Sequence, residues 1–162
     1  SLDDVFKTAT EANDNIRTLG VALSPCILPE AGKPTFEIND DEIEIGMGIH
    51  GEPGIKREKL KKADPLIDDL CKRILDDFKL NDKDQVCIMI NSLGATPLEE
   101  LYIISKRVHE NFSKLKIKIT KSYVGRYATS MEMAGMSITV FKLDSELNKY
   151  LLTPSNCPFW YN

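Results

Sequence analysis

Residues 86–124 read VCIMINSLGATPLEELYIISKRVHENFSKLKIKITKSYV, and the fold class is decided there. Val86 to Ile90 is short and wholly apolar, as a central strand covered on both faces would be. Asn91-Ser92-Leu93-Gly94 interrupts it. Thr96-Pro97-Leu98-Glu99 then has the form of a capping box with proline at the first helical position. Leu101, Ile104, Val108, Phe112 and Leu115 follow at helical spacing, so this helix turns one face to a core. From Ile117 to Val124 the chain reads as a strand again. A strand–helix–strand unit of this kind belongs to layered α/β architectures.

Working outward, Met136 to Leu143 predicts a further strand, and a short helix over Ser145 to Leu152 ends at Pro154. Upstream, Asp64 and Pro65 suit the N-cap and first residue of a helix whose buried stripe is Ile67, Leu70, Cys71, Ile74 and Phe78. The first helix is expected over Leu2 to Thr18, stopped by Gly20. Strands are expected at Val21–Leu23 and Thr35–Ile38. Another runs over Glu42–His50, where Ile43, Ile45, Met47 and Ile49 alternate with Glu44, Gly46, Gly48 and His50. The sum is an α/β (α+β) fold: one domain over residues 1–162, two layers, a mixed sheet of about six strands, and helices packed mainly on one face.

The chain has 162 residues, is 42% hydrophobic and 28% charged, and carries a net charge of −4. That balance excludes nucleic acid as a main partner, which would require a dominant basic surface. No uninterrupted apolar run approaches the ~20 residues that cross a bilayer, so no membrane association is expected. The four cysteines, Cys26, Cys71, Cys87 and Cys157, form no CxxC pair and stand at no metal-ligand spacing with a histidine. Cys71 falls on a helix stripe and Cys87 in a buried strand, where thiols act as small hydrophobes. A reducing cytoplasm, with no metal in this chain, is the expectation.

Gly46-Met47-Gly48-Ile49-His50-Gly51-Glu52-Pro53-Gly54 is the unusual stretch. Glycines such as Gly48 and Gly51 leave the backbone bare beside one imidazole, as a close approach by a ligand requires. Pro53-Gly54 suits the centre of a type II turn. The alternation directs His50 away from the face carrying Ile43, Ile45, Met47 and Ile49. A lone histidine at a strand end is more often structural than catalytic. His109 sits one step off its helix's stripe and is expected to face solvent. Glu52, as a neighbour in a turn, is expected to point elsewhere than His50 and is not named as a base. Asn91 and Gly94 lie between a strand and a helix N-terminus, where ligands gather in α/β sheets, or else form a plain turn. Thr129 and Ser130 either line a pocket or satisfy backbone groups. Lys56-Arg57-Glu58-Lys59-Leu60-Lys61-Lys62 reads as a solvated loop, with docking to an anionic partner the less favoured reading.

The string GIHGEPG, preceded by EIGM, resembles the signature of the dihydroxyacetone kinase family's substrate-binding domain. LGVALSPC (19–26) with Pro29, Gly32, Lys33 and Pro34, NSLGATPLEELY (91–102) and YATSMEMAGMSIT (127–139) extend the likeness in the family's order. The resemblance implies that this is the second, C-terminal domain of the sugar-binding subunit, without its N-terminal domain. It implies that His50 holds dihydroxyacetone as a covalent hemiaminal. A neutral imidazole adds to a ketone and not to glycerol, which has no carbonyl. It also implies a homodimer and a separate nucleotide-binding kinase subunit or fused domain. That partner would carry ADP or ATP with Mg, ADP being recharged by a phosphotransferase-system protein in bacterial members. This chain itself has no GxxxxGK[ST], so no cofactor is expected in it and the half alone is expected not to phosphorylate sugar. Two other readings stay open: a kinase-like co-activator that senses the sugar and engages a transcription factor, and a structural dimerisation domain in which His50 is incidental.

Overall fold

The computed structural model describes residues 1–158, 160 and 161. The elements run α1 (Leu2–Asp14), β1 (Ile16–Ala22), β2 (Glu42–Ile45), β3 (Lys56–Lys59), α2 (Ala63–Asp77), β4 (Gln85–Ser92), α3 (Leu98–Lys114), β5 (Lys118–Gly125), β6 (Gly135–Leu143) and α4 (Ser145–Leu151). A minimal hairpin of β7 (Asn156–Cys157) and β8 (Trp160–Tyr161) closes the series. Six strands form one mixed sheet in the order β3-β2-β1-β6-β4-β5. Only β4 and β5, joined through α3, are parallel; the other neighbours are antiparallel.

The period of two decides what each face carries. Val86, Ile88 and Ile90 of β4, Ile138 and Val140 of β6 and Val21 of β1 face α2 and α3, and with Leu70, Val108 and Phe112 they build the main core. Phe112 is fully buried, so cutting it to alanine would cost about 3–5 kcal/mol. The intervening residues face the other way. There α4 and the end of α1 cover only one end of the sheet, where Leu147, Leu151 and Ala12 meet Cys87, Tyr123 and Leu143. The rest of this second face is free to hold a site.

Several local expectations give way to tertiary structure. The first helix stops at Asp14, because Ile16 to Ala22 pair continuously with β6, from Ile16–Phe141 to Ala22–Gly135. Asn15 ends the helix, its side chain donating to Glu11 O at 2.9 Å. Thr35–Ile38 is not a strand; the upstream loop holds only an isolated bridge between Ile27 and Pro34. The basic stretch is not a loop either, since Lys56–Lys59 is the edge strand β3. Its charges are matched at home: Glu58 pairs with Lys56, Lys61 and Arg73, Arg57 with Glu44, and Lys59 with Asp41. A charged edge of this sort blocks pairing with another sheet. Asp64 lies inside α2, whose N-cap is Lys62. Thr96 forms no capping box; its hydroxyl donates to Gly135 O at 2.7 Å and accepts from Gly135 N–H at 2.9 Å, tying the start of α3 to β6.

Candidate functional site

The long strand expected over Glu42–His50 ends at Ile45, because Gly46 takes φ +84° and turns the chain out of the sheet. Gly46 N–H donates to Gly20 O at 2.7 Å, and a Cβ on Gly20 would lie 3.3 Å from Met47 O. The segment therefore crosses the second face. Met47 and Ile49 join Ala22, Cys26, Leu93 and Met133 in a small core there, on the opposite side from Ile43 and Ile45. His50 sits in a turn beyond the strand, its side chain 80% exposed.

Both ends of this excursion are pinned. Ile55 N–H donates to Ile45 O at 2.7 Å. The Glu44 carboxylate, only 11% exposed, accepts from Gly54 N–H at 3.2 Å and from Arg57 Nε at 2.9 Å. Gly54 lacks the positive φ of the expected type II turn; the positive angles belong to Gly46 and to Gly51, at +85°. What Gly54 supplies is clearance, since a Cβ there would come 2.4 Å from Ile45 O.

Within the turn, Gly51 N–H donates to Gly48 O at 3.1 Å and Gly48 N–H to Glu52 O at 3.2 Å. Such tight winding brings Glu52 back over His50, against the expectation. Glu52 Oε1 lies 3.0 Å from His50 Nδ1, and Oε2 accepts from His50 N–H at 3.1 Å. Its own backbone N–H and then the His50 ring hold the Glu52 carboxyl below the ordinary carboxylate value. Sequence spacing did not disclose the contact. The signal was the pair of glycines, which permits a closed turn of this size.

His50 lines a pocket of about 490 Å³ with Leu28, Thr35, Ile49, Arg126, Thr129, Ser130 and Met131. Ile49 also lines an adjoining cleft of about 410 Å³ over the open sheet face, with Gly48, Asn91, Met89, Ser137 and Thr139. Thus His50 and Ser130 share one pocket, while Gly48 and Asn91 border the next. Gly51 and Gly94 line neither. Gly51 allows close contact with Thr35, and Gly94, at φ +145°, lets Met131 O pass where a Cβ would stand 2.9 Å from it. Asn91, 3% exposed, is occupied in holding the 126–131 loop. Its Oδ1 accepts from Tyr127 N–H at 2.8 Å and Ala128 N–H at 3.0 Å, while Nδ2 donates to Ala128 O at 2.6 Å and Ser137 Oγ at 3.3 Å. Ser130 N–H donates to Leu93 O at 2.9 Å. Its hydroxyl bonds the Cys26 sulfur, which lowers that thiol's pKa. Thr129 Oγ1 donates to Ser130 O at 2.8 Å.

His109 is half-buried, not solvent-facing. Its Nδ1 donates to Ser105 O at 2.8 Å and its Nε2 accepts from Ser122 Oγ at 3.0 Å, so it joins α3 to β5, away from His50. Among the described residues no group of three or more His, Cys, Asp or Glu could hold a metal ion, and no helix is long and apolar enough to cross a membrane.

Fold and site together define a class: a mixed-sheet α/β domain that presents one solvent-accessible imidazole, backed by a carboxylate, at the rim of a hydroxyl-bearing pocket. The Dak1 domain model matches residues 1–159, and the chain belongs to that family. It is 46% identical, over 146 residues, to the dihydroxyacetone-binding subunit DhaK of PTS-dependent dihydroxyacetone kinase 1 from Listeria innocua; the match covers 90% of this chain and 44% of that protein. Among solved structures, the dihydroxyacetone kinase operon co-activator DhaQ matches with a TM-score of 0.87 and 31% identity, over 95% of this chain and 48% of that one. The dihydroxyacetone kinase of C. freundii, in complex with AMP-PNP and Mg²⁺, matches with a TM-score of 0.78 and 30% identity, over 94% and 28%. The chain spans about half the length of the DhaK relatives it matches.

Proposed function

We propose that this chain is the sugar-anchoring part of a dihydroxyacetone kinase, with His50 holding dihydroxyacetone as a covalent hemiaminal. The observation that carries the reading is the accessible His50 imidazole on the pocket rim, in a chain whose relative is named for binding dihydroxyacetone. The imidazole nitrogen adds to the ketone carbon, the C=O π bond opens, and the oxygen takes a proton from water. Arg126, Thr129 and Ser130 border the space where the sugar's hydroxyls would lie. A tether of this kind fixes the terminal hydroxyl for attack on a phosphoryl group, and well-oriented reactants can save up to ~7–11 kcal/mol of barrier. The phosphoryl donor, ADP or ATP with Mg, belongs to a nucleotide-binding partner subunit or domain in this reading.

The test is carbon NMR of the protein mixed with dihydroxyacetone labelled at its ketone carbon. A new resonance of a tetrahedral carbon, absent with His50→Ala, is the expected result. A bare ketone spectrum at saturating sugar refutes the anchor. The match to a co-activator structure supports a second reading, a sugar sensor. Adding a nucleotide-binding kinase subunit and phosphoryl donor to a version of the protein spanning the relatives' full length separates the two. Dihydroxyacetone phosphate appears only if the first is right.

A further inference from the structure

We infer that Glu52 is a positioning residue that keeps the proton of His50 on Nδ1 and so presents the lone pair of Nε2 to the ketone, and that Gly48 is glycine to make room for the Glu52 carboxylate. This rests on the reading of His50 as the sugar's anchor. Three observations carry it. First, Glu52 Oε1 stands 3.0 Å from His50 Nδ1, and an ionised carboxylate can only accept, so the ring nitrogen facing it must be the donor. Second, Oε2 takes the His50 backbone N–H at 3.1 Å, so one carboxylate fixes both the main chain and the ring of the same residue. Third, a Cβ on Gly48 would fall 2.0 Å from Glu52 Oε2 and 2.8 Å from its carboxyl carbon. No other residue fits there while the carboxylate keeps its place.

The two ring nitrogens of histidine are not equivalent, and the partner of one decides the state of the other. With Nδ1–H held by Glu52, a neutral ring has its free pair on Nε2, the nitrogen turned away from the carboxylate. When the Nε2–carbon bond forms, the ring gains positive charge and keeps its Nδ1 proton. The former carbonyl oxygen becomes a hydroxyl with a proton from solvent, and the Glu52 carboxylate faces the new cation. The same group therefore sets the tautomer beforehand and offsets the charge afterwards.

The experiment reads the tautomer directly. Long-range proton–nitrogen spectra of the imidazole-labelled protein, free of sugar and at a pH where the ring is neutral, assign the protonated nitrogen of His50. The parent is expected to show Nδ1–H. Glu52→Ala is expected to lose that preference, with the adduct's population at fixed sugar falling about tenfold, the lower end of what removing a group that orients a histidine costs. Gly48→Ala leaves the Glu52 side chain in the sequence but displaces it, and is expected to reproduce the Glu52→Ala spectrum with an unchanged amide fingerprint elsewhere. A parent ring protonated on Nε2 overturns the proposal, as does a parental tautomer ratio in either variant. Because these spectra contain no sugar, a parent that shows Nδ1–H yet forms no adduct refutes the sugar-anchor reading and leaves the tautomer assignment standing.

Discussion

Asn91→Ala removes the hinge pin of the loop that closes the His50 pocket. The side chain is 3% exposed and takes part in four hydrogen bonds, two accepted from Tyr127 and Ala128 amides and two donated to Ala128 O and Ser137 Oγ. A typical net hydrogen bond contributes about 0.5–1.5 kcal/mol, and a buried polar group left unpaired costs about 1–3 kcal/mol. Some of the orphaned groups will find water through the adjoining cleft, so the expected loss is about 2–4 kcal/mol. For a domain of this length each kcal/mol lowers the melting temperature by about 2–4 °C, which places the variant roughly 4–16 °C below the parent. Urea unfolding gives the free energy, and hydrogen exchange of the Tyr127 and Ala128 amides locates it. The pocket side chains Arg126, Thr129 and Ser130 ride on this loop, so sugar binding should weaken with it. A loss below about 0.5 kcal/mol, the noise of ordinary surface substitutions, would refute the account of Asn91 as a clamp.

Glu44→Ala takes away the acceptor for Gly54 N–H and the partner of Arg57, so it should destabilise by about 1–3 kcal/mol and lower adduct formation through the 46–54 loop; unaltered denaturation and sugar binding together would count against it. Asp68 is held at a pKa of about 2, first by Arg107 and then by Asn111. Its folded pKa lies below the unfolded one, so the stability it contributes is present above about pH 4 and is lost as pH falls toward 2. Being 43% exposed, the pair is worth less than about 1 kcal/mol, and Asp68→Asn should flatten the acid limb of stability between those pH values by no more than that. Of the thiols, Cys157 alone is exposed, while burial pushes Cys71 and Cys87 up to about 11. A disulfide reagent at mildly alkaline pH should therefore modify one cysteine quickly; two or more fast thiols would contradict the burial of the rest.

The elements legible in the sequence were those with a sustained period. The stripe Leu101, Ile104, Val108, Phe112 gave α3, and the apolar run Val86–Ile90 gave β4, because each buries its pattern in the main core. What the residues hid was set by partners distant in the chain. Ile16–Gly20 continues a helical spacing, yet β6 recruits it as a strand. Lys56–Lys59 has no apolar alternation at all and becomes a strand because β2 offers it an edge. At the site, the glycines marked the place, and His50 stood out through resemblance more than through pattern. Glu52 was invisible for a geometric reason: residues two apart diverge in a helix, and in a strand they share a face only along an extended chain, whereas the closed turn from Gly48 to Glu52 folds them together.

The pairing of β1 with β6, from Ile16–Phe141 to Ala22–Gly135, has a kinetic consequence. The segment β4-α3-β5 can assemble from neighbours along the chain, but β1, which completes the middle of the sheet, precedes that segment and must wait for β6, which follows it. Loop-closure entropy is spent before that ladder gives anything back, so folding should be slow for a domain of this size. In the interval β6 presents an unpaired edge, the template on which chains misassemble. The pocket cannot exist before that step, since Gly20 and the 46–50 turn that lies over it are placed only when β1 docks. A competent His50 is thus among the last features the polypeptide acquires.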